Sequence, residues 1–229
     1  MAKRHGRQTV VYIDGFDVTG DSNNVEPQIT QDEADVASFG DVSHSFLLGQ
    51  EGGRIAHAGF YNDLATTGIH AVLSARKGSA VIYGVAFRDA AGAYGFAGTA
   101  RLATYQVGAP IGGAVALANQ LTAMGGVDPI TVLEPKADLT GPGAAKDDLA
   151  GSNGGLSGYV QAFSVLGGTP AFAIQHATAV GGPFTDVVNF TALSARGAEL
   201  AKAAGTVRQF LRMNVTNGSA NAWLAYRRG

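Results

Sequence analysis

The chain contains no cysteine. Disulfide staples and thiolate metal sites are therefore excluded, and any core must hold by packing alone. It has one tryptophan, and only 15% of its residues are charged. No apolar run approaches the roughly 20 residues that a membrane-spanning helix needs. The basic start, Met1-Ala2-Lys3-Arg4-His5-Gly6-Arg7, is not followed by an apolar stretch of signal-peptide length. This pattern fits folding in the cytosol. One absence is local: from Gln8 to Gly53 there is no lysine or arginine.

In that cation-free stretch stand nine carboxylates: Asp14, Asp17, Asp21, Glu26, Asp32, Glu33, Asp35, Asp41 and Glu51. The other end is basic, with Arg196, Lys202, Arg208, Arg212, Arg227 and Arg228 against Asp186 and Glu199. Two readings stay open. The charges form two solvated surfaces, or the acidic set lines a channel or meets a basic neighbour.

Chemistry-bearing motifs are missing. The five histidines are scattered, and no pair has the spacing of a helical zinc site. There is no phosphate-cradling G-x-x-x-x-G-K-[ST], and Gly155-Leu156-Ser157-Gly158 lacks nucleophile-elbow spacing. Asp32, Glu33 and Asp35 are the tightest acidic group but lack the glycine and spacing of an EF-hand loop. The expectation is a non-enzyme with no catalytic residue, no metal and no cofactor.

Glycine is abundant, at 33 residues, and strand signals dominate. Residues 9–13 are β-branched and aromatic, and Asp14-Gly15 turns the chain. In residues 81–87, Val81, Tyr83, Val85 and Phe87 share one face at period two, and the other face is Ile82, Gly84 and Ala86. That alternation predicts a half-buried strand, paired as a hairpin over 79–106. A further strand pair is expected in 113–122 and 130–133. Asn62-Asp63 predicts the cap of a short helix, stopped at Arg76-Lys77-Gly78.

Residues 137–156 read as a Gly/Pro/Ser linker, with two β-domains expected at 1–136 and 157–229 and the first proteolytic cut expected between Gly141 and Gly155. The second domain is expected to hold strands at 158–166, 171–176, 186–193, 207–216 and 220–227. Gly167-Gly168-Thr169-Pro170 and Asn217-Gly218 would serve as turns between them.

The order of segments in the first 135 residues resembles the tail tube (major tail) subunits of long-tailed bacteriophages. Tyr12-Ile13-Asp14-Gly15-Phe16-Asp17-Val18-Thr19-Gly20 supplies the first strand and turn. Ala37-Ser38-Phe39-Gly40-Asp41 is similar to the family's Thr-Phe-Gly-Asp segment, with Ser38 in the threonine's place. Phe46-Leu47-Leu48-Gly49-Gln50 is similar to its Pro-Gly-Leu bend, without the proline. Residues 55–63 look like the strand leading into the short helix. Tyr105 to Gly113, through Ala109-Pro110-Ile111-Gly112, resembles the entry to the last strand.

The resemblance implies a mainly β fold: a tail-tube-type β-sandwich or barrel with one short flanking α-helix. An appended small C-terminal β-sandwich, often immunoglobulin-like, is implied as well. It further implies a virion protein assembled in the host cytoplasm. Its partners would be its own copies, in stacked and commonly hexameric rings, with the tape measure and tail terminator proteins and DNA in passage. The nine carboxylates would then face the lumen or form an inter-ring loop. Two alternatives remain at this stage: a capsid decoration or head–tail completion protein, and a carbohydrate-binding β-sandwich presenting Trp223.

Overall fold

A computed structural model describes residues 6–38 and 42–229. The fold is mainly β, with a single short α-helix among the described residues. In chain order the elements are β1 (Val10–Ile13), β2 (Phe16–Asp17), β3 (Ser22–Asp35), β4 (Phe46–Phe60), α1 (Ile69–Ser74), β5 (Ala80–Ala86), β6 (Tyr94–Gly108), β7 (Ala116–Ala123) and β8 (Asp128–Pro142). They continue with β9 (Lys146–Asp147), β10 (Leu156–Ala177), β11 (Thr185–Asn189), β12 (Gly197–Ala203) and β13 (Phe210–Arg228).

All strands join one hydrogen-bonded network whose main path is β11-β10-β13-β8-β6-β5-β1-β2. A branch leaves β6 through β7 to β4 and ends on β3. Every ladder is antiparallel.

The β5–β6 hairpin forms as its alternation predicts, Val81 facing Ala100 and Val85 facing Phe96. Its second face is not open, however. Val81, Tyr83 and Val85 enter a core with Ile55, Ile69, Val72 and Leu121. Ile82 and Ala86 border a second core containing Trp223, Tyr159 and Phe163. The small face is small because an indole fills it: a Cβ on Gly84 would meet Trp223 ring carbons at 2.9 and 3.0 Å. β5 is thus buried on both faces, not half-buried.

Strands do form where 113–122 and 130–133 were expected, β7 from Ala116 and β8 from Asp128, but these do not pair with each other. β7 pairs with β4 and β6, and β8 pairs with β6 and β13. The long β6 explains this, since Ala100–Gly108 takes β7 while Tyr94–Ala97 takes β8.

The expected turns in the second half are not chain reversals. β10 runs unbroken through Gly167–Pro170, and β13 through Asn217-Gly218. The two sites face each other, Gly168 opposite Gly218, with register shifts on either side. Left-handed backbone at Gly168 (φ 67) and Asn217 (φ 61) bends both strands there. Turn chemistry has produced paired β-bulges instead of loops. The strand β12 carried no expectation.

The segment expected as a linker is largely bonded to the body. Residues 137–142 extend β8 along β13, β9 pairs with Phe210 and Leu211, and Ser152 bridges to Val207. Glycine and proline here permit irregular strand, not a free tether. One core, with Phe172, Ile174, Leu211 and Leu224, lies after residue 132; another, with Ile13, Ile55 and Leu121, lies before residue 128. The third takes Tyr12, Ala97 and Val132 from one side and Tyr159, Phe163 and Trp223 from the other.

Candidate functional site

The most exposed regular structure is the β3–β4 hairpin. Near its base β4 alternates, with Ile55, His57 and Gly59 buried and paired to β7. Among the described residues, no third strand joins it beyond the base. From Gln28 to Asp35 on β3, and from Phe46 to Glu51 on β4, every residue is exposed. The pairing holds to the end, with Glu33 opposite Leu48 and Asp35 opposite Phe46. The result is a two-stranded arm open on both faces.

Its outer half combines apolar and acidic side chains. Phe46, Leu47 and Leu48 are 57%, 63% and 63% exposed, and Ile29, Val36 and Val42 are exposed as well. Asp32, Glu33 and Asp35 lie among them, while Glu51 sits nearer the base, beside Gly126. Asp35 is tied locally: it accepts from the Ala37 amide at 2.9 Å and lies 2.7 Å from His44 Nδ1. Glu26, nearer the base, accepts from Asn24 Nδ2 at 2.8 Å.

The remaining carboxylates of the sequence set do other work. Asp14 accepts from Arg76 Nε at 2.7 Å and from the Ile82 amide at 2.8 Å. Asp17 binds Lys136 Nζ at 2.6 Å and the Thr19 amide at 3.0 Å. Asp21 accepts from Asn62 Nδ2 at 2.9 Å and from the Ile69 amide, at the start of α1, at 3.2 Å. These three hold turns and the helix end, so they belong to the body and not to the arm. Asp41, with Phe39 and Gly40, lies outside the described residues. The Asn62-Asp63 cap is corrected too: α1 starts after Gly68, and its first amide is met by Asp21 from a distant turn.

A polar row anchors the arm's base. His57 Nε2 lies 2.7 Å from Ser22 Oγ, and Nδ1 lies 2.7 Å from Asn119 Nδ2. Ser22 spends its proton on the Val18 carbonyl at 2.7 Å. The ring therefore donates from Nε2 and accepts at Nδ1, which is the neutral imidazole. Burial agrees, pushing His57 down to about 4 against a partial opposing pull from Asp21. Nothing in the sequence signals this row, because its members come from three strands, β3, β4 and β7.

The turn Asp14-Gly15 fastens the two halves. Gly15 donates to Gln161 Oε1 at 2.6 Å, and Gln161 Nε2 donates to the Ile82 carbonyl at 2.9 Å. Phe16 lies between the guanidinium groups of Arg76 and Arg196, at 4.5 and 4.3 Å. Trp223 is wholly buried, edge-on to Tyr12 at 5.5 Å. It is no stacking platform for a sugar.

No family model and no curated protein matches the chain. Among solved structures it is similar to the tail of an empty gene transfer agent particle, refined with helical and C6 symmetry. The identity is 16%, over 55% of this chain and 98% of that one, with TM-score 0.45. It is also similar to the phage SPP1 Dit protein, described as a hub adsorption apparatus: 13% identity, 96% of this chain and 99% of that one, TM-score 0.34. A chain of the phage p2 baseplate in its activated, strontium-bound conformation gives 12%, 96%, 98% and 0.34.

Proposed function

We propose that this chain is a structural subunit of a phage tail, a tail tube protein whose copies assemble into stacked rings around a channel for DNA. The observation that carries the reading is the arm. A lone two-stranded ribbon is marginal in water, and one with apolar side chains on an open surface invites pairing. Phe46, Leu47 and Leu48 at its end gain their burial only from another molecule. An exposed apolar patch of this kind marks an interaction surface. Copies of the same chain are the partner that the sequence resemblance implies.

The acidic residues fit this role in two ways. Carboxylates along the arm oppose pairing between two identical arms, because like charges would face each other. Any that line the channel repel DNA phosphates and let the strand slide. Polymerisation and not turnover is the activity of such a molecule. Negative-stain microscopy of the concentrated, purified chain tests it: long hollow filaments support the tube, and isolated monomers or trimers overturn it.

A further inference from the structure

A polar cleft lies where β10 stops and β13 begins, far in sequence from the arm. It encloses about 300 Å³, between Ser152 and Asn153 on one wall, Thr178 on another, and Thr206 to Gln209 on a third. Backbone bonds fix these walls. Ser152 and Val207 exchange both amide bonds, at 2.8 and 2.7 Å. The Arg228 guanidinium donates to the carbonyls of Val207, Arg208 and Gln209 at 3.2, 2.8 and 3.1 Å. Leu149, ahead of the first wall, has the left-handed backbone (φ 67) that bulky residues rarely adopt. Asp147 holds it there, accepting from the Leu149 amide at 2.8 Å.

What the cleft has to spare is donors. The three carbonyls are taken by Arg228, and Asn153 Oδ1 already accepts from Thr206 Oγ1 at 3.0 Å. That leaves the Asn153 amide nitrogen and the Thr178 hydroxyl. Ser152 has a buried hydroxyl with no partner in the protein, which a ligand oxygen reached by one χ1 step would supply. Among the described residues, no carboxylate pairs with the exposed Arg208 guanidinium. The nearby acids are engaged elsewhere: Asp147 by Gln209 Nε2 at 2.8 Å, and Asp148 by Lys146, Tyr226 and Arg228. His176 Nδ1 accepts from the Arg208 amide at 3.2 Å, so the ring carries its proton on Nε2. Burial first, then the Arg208 and Arg228 charges, hold His176 below its ordinary value. The field at this corner is therefore positive.

A free guanidinium beside neutral donors is the chemistry that receives a phosphate group. The volume is that of a small-molecule site, so more than a bare ion fits. Among the described residues no aromatic ring lines the cleft, which removes the stacking platform that nucleic-acid strands use. We propose that this cleft binds the phosphate ester of a small polyol, free or as the repeating unit of a polymer, with Arg208 on the phosphate and Asn153 and Thr178 on the remaining oxygens.

Isothermal titration calorimetry of the full chain with glycerol 3-phosphate tests it. The expected result is saturable binding that glycerol does not reproduce, weakened about tenfold in Arg208→Gln and about threefold in Thr178→Val. Neither side chain has a hydrogen-bond or ion-pair partner in the protein, so both variants should keep the wild-type urea midpoint, and the change in Kd then reads the site and not the fold. Poly(glycerol phosphate) binding more tightly per unit than the monomer assigns the polymer as the source, and equal affinity assigns the free ester. Single-stranded DNA that binds more tightly than the ester and displaces it overturns the polyol assignment. Absence of saturation, or Arg208→Gln binding like the wild type, overturns the site. The titration needs no filaments, so its failure leaves the self-assembly reading standing.

Discussion

At the residue scale, the decisive groups are those that leave no room or no proton. Gly15 has φ 74, and a Cβ there would meet the Gly197 carbonyl oxygen at 2.8 Å and the Ala162 carbonyl closer still. Both obstacles are backbone and cannot rotate away. Gly15→Ala should cost about 2 kcal/mol or more from left-handed strain and overpacking together. Urea denaturation followed by Trp223 fluorescence reads it directly; a change below about 0.5 kcal/mol would mean that the junction gives way. His57 makes the second case. Neutral when folded, with its pKa lowered to about 4, it binds a proton in the unfolded chain below about 6.5. The stability it contributes is complete above pH 6.5 and is lost as pH falls from there towards 4. The total reaches about 3 kcal/mol at roughly 1.4 kcal/mol per pH unit. Melts of wild type and His57→Gln across pH 4–7 should show a steeper loss in the wild type, and parallel curves would remove the imidazole from the account.

At the scale of elements, the arm is a module with little to hold it and little to lose. Near the base Gly53 packs on Val127, so the replacement is made beyond it: an Asn-Gly hairpin turn in place of residues 30–52 keeps the Ile29–Gly53 pair and should leave the body's unfolding free energy within about 1 kcal/mol of wild type. Filaments should disappear. Filaments that persist without the arm would remove its role. Proteolysis should enter at the tip before residues 141–155, which are pinned to β13. Trypsin cannot report this, for want of lysine or arginine between Gln8 and Gly53; chymotrypsin, cutting at Phe46 to Leu48, can. The same exposure explains why the arm was hard to read in the sequence. Alternation appears only when one face is buried, and Ser22–Asp35 has no buried residue to set a period of two. The β5–β6 hairpin was legible from Val81, Tyr83 and Val85, but the meaning of its small face was not, because Trp223 arrives from far along the chain. Gly168 and Asn217-Gly218 were recognised as special backbone, and only long-range pairing decides between a turn and a bulge. Of the nine carboxylates, charge alone could not separate Asp14, Asp17 and Asp21, which serve the body, from those on the arm.

At the scale of the whole molecule, the division into units at 1–136 and 157–229 remains a proposal with two observations beside it. One hydrophobic cluster lies wholly before residue 128, another joins Leu133 and Leu139 to residues of the second unit, and a third, with Tyr12, Val132, Tyr159 and Trp223, draws on both units. Strand β8 passes from pairing with β6 to pairing with β13 without interruption. Two units sharing a core and a strand should unfold together. Calorimetry of the wild type should show one transition. Trp223→Ala, which empties the shared cluster at a cost of about 3–5 kcal/mol, should lower it or split it in two. Two transitions already present in the wild type would mark the halves as independent.

The continuity of β8 bears on whether this chain can be divided. A strand that neighbours first β6 and then β13 belongs to neither half. A break at residue 136 would strip β13 of part of its partner and leave a raw edge on each fragment. Such fragments are built to find one another again, and neither is a protein in its own right.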